Sequence, residues 1–471
     1  MNRKTIIGLL IVIILLIVIL TVPSLLGFNL SLPLRLLLIV LLSVYVVLAF
    51  DMVHRTVIVL IGATIAIIIG ITTNLFSATD SFEFAVRSID FNTIGLLLGM
   101  MIIVVILAGT GIFQYMGIKM FKVSKGNMWK LLVLMTTFTA VASMFIDNVT
   151  TILLMLPVTF SIFRILNMSP IPFVLAQTLS SNVGGAATLV GDPPNIMIGS
   201  AANIDFNSFL IHMGPTIAFS LVASLIMFRL FFRKEIKVKP QNLEALMNQD
   251  EKSLIKDKPL LKKALCVLFG VIILFVIHGS LHIEPSLIAL GGAGILFLIS
   301  KSNPEKIFHD VDWTTLVFFA GLFIIISVGE ESGMIDLLAK TVLNITGGDT
   351  WISFFTIIWV GAVASSFVDN IPFTATMIPL VAVVNQDSTI AAGFGGFAIN
   401  PLWWALALGV GLGGNGTLIG SSAGIIAAGL SEKHGHIITF NRFIKIGFPF
   451  MICTVFVGSV MLMIETWLRL S

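Results

Sequence analysis

The feature that most limits what this chain can fold into is an acid–amide pair inside apolar sequence, present twice at matched positions. Ser143-Met-Phe-Ile-Asp147-Asn148 runs on to Pro157, and Ser365-Ser-Phe-Val-Asp369-Asn370 runs on to Pro379. Asp147 and Asp369, Asn148 and Asn370, and Pro157 and Pro379 are each 222 positions apart, as are Asp90 and Asp312. An ungapped correspondence of that length marks a duplicated unit.

Both copies lie in sequence suited to a bilayer. Hydrophobic residues make up 57% of the chain and charged residues 11%, and the mean hydropathy is +1.07. Apolar runs of about 20 residues, enough for a hydrocarbon core of roughly 30 Å, recur from end to end. The net charge of +3 gives no support to a nucleic-acid partner. Cys266 and Cys453 are too far apart in sequence to read as a disulfide framework or zinc site.

The chain reads as a helix in segment 1–32, a first repeat over 33–232, a linker over 233–263 and a second repeat over 264–471. The first apolar run, 5–22, is too long for a signal peptide and lacks a small-x-small cleavage site, so it is expected to stay as a helix. Arg3, Lys4, His54 and Arg55, then Lys119, Lys122, Lys125 and Lys130, fall on one side of successive crossings. The positive-inside rule puts that side, and the N-terminus, in the cytoplasm, with the C-terminus outside. The polar linker reads as a solvated cytoplasmic segment, and His278, His282, Glu330 and Glu331 as surface residues.

Two kinds of irregularity then recur. Residues 129–163 and 352–384 are paired apolar arms joined at Asp147-Asn148 and Asp369-Asn370, too abruptly for a turn at the membrane surface. They are expected to form re-entrant hairpins with tips at mid-membrane, which is tolerated where backbone lines a wet cavity. Residues 171–201 and 402–430 cannot be continuous helices. The first contains Asp192-Pro193-Pro194, and proline removes a donor and disfavours helix in the residue before it. The matching stretches are Gly184-Gly-Ala-Ala-Thr188-Leu-Val-Gly191 and Gly413-Gly-Asn-Gly-Thr417-Leu-Ile-Gly420. The expected fold is an all-α polytopic membrane protein: two inverted repeats, about eleven transmembrane helices, two re-entrant hairpins and two broken helices. That plan belongs to secondary transporters whose site lies between the repeats.

Phe-Ile-Asp147-Asn148-Val-Thr150-Thr, with Ser-Asn182-Val-Gly184-Gly-Ala-Ala-Thr188-Leu-Val-Gly-Asp192-Pro-Pro-Asn195, resembles the ion transporter superfamily in its arsenite permease and sodium/proton antiporter branch. Within that branch it is most similar to the pink-eyed dilution (P protein) subgroup, with a citrate-transporter-like domain. The resemblance covers roughly residues 35–471. It implies a homodimer, a scaffold domain and a mobile transport domain that works as an elevator. It also resembles, more distantly, the sodium-coupled dicarboxylate carriers, whose hairpin tips hold Ser-Asn-Thr. Aspartate stands in place of that serine in both copies here.

An aspartate at mid-membrane costs about 2.5–3.5 kcal/mol on insertion scales, so it is retained for a purpose and faces a cavity. Asp147, Asn148, Asp369 and Asn370 are candidate oxygen ligands for Na⁺, the one bound ion expected; no other cofactor is. Either aspartate can instead carry a proton, or simply cap the returning helix. Thr150, Asn182, Gly184, Thr188, Asp192, Asn195, Thr374, Asn415, Thr417, Ser421 and Ser422 complete the candidate set for binding a small inorganic ion or anion. The expected function is secondary active transport in the cell membrane, Na⁺ or H⁺ coupled, with cation/proton antiport ahead. Efflux of arsenite or another oxyanion or hydroxy-acid, and transport of an organic anion, are the alternatives. An intramembrane aspartyl hydrolase is remote, because Tyr-Asp and Gly-x-Gly-Asp pairs are absent.

Overall fold

The computed structural model of the chain describes residues 30–470 except 51, 239, 241 and 396, together with positions 11, 14 and 18. The helix expected over 5–22 therefore lies almost wholly outside the described residues. Among the described residues, nine helices are long and apolar enough to cross a bilayer, and no strand occurs.

Eighteen principal helices follow one plan twice. The first run is α1 (Leu32–Ala49), α2 (Arg55–Thr72), α3 (Phe91–Gly109), α4 (Ile112–Ser124), α5 (Met128–Ser143), α6 (Asn148–Ile165), α7 (Ile171–Gly185), α8 (Pro193–Ala201) and α9 (Phe206–Phe231). The second is α10 (Lys258–Leu281), α11 (Pro285–Ser300), α12 (Trp313–Glu331), α13 (Met334–Thr346), α14 (Thr350–Phe367), α15 (Asn370–Val384), α16 (Leu402–Gly413), α17 (Ser422–Lys433) and α18 (Phe440–Leu470).

The 222-residue offset is a register of helix starts. Asp90 and Asp312 cap α3 and α12, and Asn127 and Asp349 cap α5 and α14. Asp147 and Asp369 cap α6 and α15, each accepting from a backbone N–H of the first turn. Such oxygens satisfy donors that a helix cannot pair internally. Gly111 and Gly333, also 222 apart, both take the left-handed conformation at φ +85° and +80° and start α4 and α13. A side chain there would be strained, so glycine turns the chain from a long helix into a short one.

The two runs interlock. α2 packs against α12, α11 against α3, and α9 against α18. A Cβ on Gly99 of α3 would stand 2.5 Å from the Ala289 carbonyl carbon on α11, and one on Gly321 of α12 would stand 2.8 Å from Val59 on α2. These glycines, 222 apart, let the helices of opposite runs cross closely. Large apolar side chains such as Ile68, Leu230, Phe269 and Leu298 remain exposed. On spans of this length they are the surface that lipid tails solvate.

Two expectations change and a third is refined. Lys119 and Lys122 belong to α4, whose other side buries Phe113, Ile118 and Phe121, so the basic loop is an amphipathic helix. The linker 233–263 is largely exposed, as a solvated segment should be, yet it is pinned at points: Leu246 is fully buried, Lys122 Nζ donates to Glu251 Oε2 at 2.5 Å, and the Lys256 N–H donates to the Thr110 carbonyl at 2.9 Å. Its last residues are already helical, because Asp257 caps α10. His278 is buried, not at the surface; its Nε2 accepts from the Phe206 N–H at 3.1 Å. Only the tertiary fold supplies that donor, at the start of α9.

Candidate functional site

The site begins with the two interruptions. α7 stops at Gly185 and α8 starts at Pro193; α16 stops at Gly413 and α17 starts at Ser422. α5 lies on α7 and α14 on α16, with no room for side chains between. A Cβ on Gly184 would sit 2.0 Å from the Ala140 carbonyl oxygen, and one on Gly413 2.6 Å from that of Ala362. The threonines of the breaks act alike: Thr188 donates to the Met144 carbonyl and Thr417 to the Ser366 carbonyl. Each unwound segment is thereby stitched to the tip of its own hairpin.

Carbonyl oxygens gather at both breaks. Those of Ser143 and Gly185 occupy the space a Cβ on Gly191 would need, and those of Ser365, Ser366 and Gly414 the space one on Gly420 would need. Asn195 Nδ2 donates to the carbonyls of Gly185 and Thr188, at 3.0 and 2.8 Å, while its Oδ1 has no partner. Asn415 Oδ1 accepts from Asn182, and its own Nδ2 has none. Among the described residues, no three His, Cys, Asp or Glu side chains group as metal ligands. A cation here would be held by one carboxylate completed with amide, hydroxyl and carbonyl oxygens, a shell suited to hard ions.

The hairpin tips and the two broken helices meet through amides. Asn148 Nδ2 donates to Asn182 Oδ1 at 3.1 Å, and Asn182 Nδ2 donates across to Asn415 Oδ1 at 3.0 Å and Ser421 Oγ at 2.9 Å. Asn370 Nδ2 crosses the other way, to the two Asp192 oxygens at 3.2 and 3.4 Å. Asp192 is 1% exposed, so this carboxylate is more than the turn residue of an Asx-Pro pair. Thr374 is fully buried and donates to the Asn370 carbonyl at 2.6 Å; it braces α15 rather than lining the site.

A cavity of about 330 Å³ opens against this junction. Asp147, Asn148 and Thr150 of the first hairpin, Asn370 of the second, and Ser422 of the second break all line it. Asp147 Oδ1 accepts from the Thr150 N–H at 2.9 Å, so its capping bond leaves it facing the space. A second cavity of about 200 Å³ holds Asp369.

Of the polar lining residues, Arg55, Asp310, Asp312 and Thr315 were missed in the sequence. Arg55, at the first position of α2, reaches between the halves: Nη1 donates to Ser422 Oγ and Nη2 to Thr315 Oγ1, both at 2.7 Å, and Nη2 lies 3.5 Å from Asp312 Oδ2. Ser422 in turn donates to Asp369 Oδ2 at 2.7 Å. Arg55 read as an ordinary basic bend residue because its partners are more than 250 positions away. The constant offset had singled out Asp312, and the α2–α12 contact explains why it belongs here.

The citrate transporter family profile matches residues 45–409. An uncharacterized transporter of Mycobacterium tuberculosis is 39% identical over 428 residues, covering 91% of this chain and 96% of the relative. The P protein of Sus scrofa is 33% identical over 512 residues, covering 90% of this chain and 59% of that protein. Among solved structures, the YdaH transporter of Alcanivorax borkumensis superposes with a TM-score of 0.58 at 12% identity, over 88% of this chain and 98% of that one. This last likeness is one of fold.

Proposed function

Since the chain belongs to the citrate transporter family and is a multi-pass membrane transporter, we propose that it is a secondary active ion transporter of the cell membrane that exchanges a small cation for protons. The observation that carries this is the 330 Å³ cavity at the junction of both hairpins and both breaks, with the Asp147 carboxylate facing it. Around it the acids outnumber the bases: Asp147, Asp310 and Asp312 line it with Arg55, and Asp192 lies buried behind Asn370. A carboxylate at membrane depth is tolerated when it binds a cation or takes up a proton, and exchange uses both states.

In the topology drawn from the basic loops, Arg55, Gly109 and Asp310 put the cavity's mouth on the cytoplasmic side. Alternating access then carries the junction toward the other face, as an elevator-type displacement of the hairpins and broken helices in a homodimer. A second reading is transport of an organic anion. It draws on Arg55 and on the N-terminal ends of α6 and α15, where Asn148 and Asn370 face the cavity and the helix dipole favours negative charge.

The test uses purified protein in liposomes with an internal pH dye and an imposed proton gradient. Na⁺, Li⁺ and K⁺ are added in turn, then citrate and arsenite. A pH change specific to one cation and lost in Asp147→Asn supports exchange. Citrate or arsenite uptake with no cation response overturns it in favour of an anion.

A further inference from the structure

A groove that takes no part in the site lies at the end of α9. Val222, Ile226 and Leu230 form an exposed apolar stripe down that helix, at the spacing that keeps side chains on one face. Trp129, half-buried at the base of α5, lines the groove with them, and the space enclosed is about 710 Å³. Past Phe232 the chain turns into a short 3-10 segment, Glu235–Lys237, which packs on α5 and adds Ile236 to the lining.

The charge on this groove has one sign. Arg229, Arg233 and Lys237 line it, and no carboxylate does. All three are exposed, and among the described residues none of them is in an ion pair. Glu235, on the same short turn, is exposed and lies outside the lining. The Arg229 guanidinium sits over the Trp129 ring, 5.5 Å from its centroid, within the range of a cation–π contact. Indole rings favour the headgroup level of a bilayer, and guanidinium forks match phosphate oxygens. In the topology drawn from the basic loops this is the cytoplasmic leaflet, where basic pockets between spanning helices collect anionic headgroups.

We propose that the groove binds one anionic phospholipid, its phosphate held by Arg229, Arg233 and Lys237 and an acyl chain lying along Val222, Ile226 and Leu230. The order of residues along α9 suits such a molecule, since the apolar stripe comes first and the cations gather at its end. A zwitterionic headgroup brings a cation of its own, which three basic groups repel. Segment 1–29 carries Arg3 and Lys4 ahead of its apolar run, the same sign as the groove, so it is the poorer occupant. α5 runs from this groove to Ser143, close to the Asp147 tip. The lipid therefore fastens the base of the first hairpin at the membrane surface, whatever the cargo.

The experiment is native mass spectrometry of the full chain, stripped of lipid in detergent and then given phosphatidylglycerol or phosphatidylcholine at equal concentration. Retention of one phosphatidylglycerol per chain is expected, with phosphatidylcholine lost first as collision energy rises. Arg229→Gln combined with Arg233→Gln should weaken retention on the order of 30-fold, from the usual contribution of each basic group near an anionic lipid. Lys301→Gln with Lys306→Gln removes as much charge elsewhere and should keep the adduct. Arg229→Lys with Arg233→Lys should keep most of it, which separates lost charge from lost fold. Equal retention of the two lipids, or an adduct that survives the paired glutamines, overturns the proposal. Displacement by glycerol phosphate overturns it in favour of a soluble anion. A lipid-free dimer that the paired glutamines split overturns it in favour of an interface between copies.

Discussion

The two hairpin tips are alike in sequence and unlike in company. Asp147 and Asp369 both cap a returning helix, yet Asp369 receives a hydroxyl that is itself held by Arg55, whereas among the described residues no ion pair reaches Asp147. Asn148 binds the amide of its own run, and Asn370 binds the carboxylate of the other. Duplication preserved the backbone frame, from helix starts and glycine contacts to threonine stitches. The polar partners that decide charge diverged. The proposed exchange of a cation for protons would use that divergence, because identical sites would compete for both ions.

The largest effect expected is functional. Asp147→Asn and Asp369→Asn should each lower coupled exchange on the order of 100-fold, the equivalent of about 2.8 kcal/mol, with unchanged elution as folded protein. Wild-type flux in either variant would break the comparison outright. Next comes packing. Gly184→Ala and Gly413→Ala place a methyl group on a carbonyl, where overpacking costs about 1–3 kcal/mol, and the shorter 2.0 Å approach makes Gly184→Ala the more damaging. Thermal unfolding in detergent ranks the pair; an inverted order would show that the second break is the stiffer.

The amides give a finer contrast. Asn370→Ala removes the amide that reaches both oxygens of the buried Asp192, whereas Asn148→Ala removes the donor to the Asn182 amide oxygen, and a buried acceptor left without its donor is costly. Asn370→Ala should therefore lower the unfolding temperature further. The smallest effect lies away from both tips. The hydrogen bond from Lys122 holds the Glu251 carboxyl below its usual range, so the docking that it supports is present above the ordinary glutamate pKa, near 4.3, and fades as pH falls through the lowered value. Hydrogen exchange in residues 243–254 should stay slow at pH 7 and at pH 5, and should speed up at both in Glu251→Gln.

Much of this arrangement is written locally. An acid–amide pair between apolar arms, and glycine pairs followed by threonine and another glycine, cannot be ordinary helix interior, so the tips and breaks were legible. The Asn195 and Thr188 roles follow from backbone that the prolines and glycines leave unpaired. Arg55 was not legible, since its meaning comes from α2 lying against α12. The helix of Lys119 and Lys122 was hidden by its lysines, which read as loop, and His278 by a partner that exists only where α9 begins. Residues acting through chain neighbours can be read from sequence; those acting through crossing helices cannot.

The interlocked crossings also bear on biosynthesis. α3 presents Gly99 to a helix that begins at Pro285, and α2 is packed by one that begins at Trp313. When the first half has left the ribosome and entered the bilayer, the docking faces on α2 and α3 have no partner. Synthesis of about a hundred further residues, to the end of α12 at Glu331, must finish before both are covered. The first half is thus not a finished domain on its own. A chain cut in the linker should accumulate only when both pieces are made together.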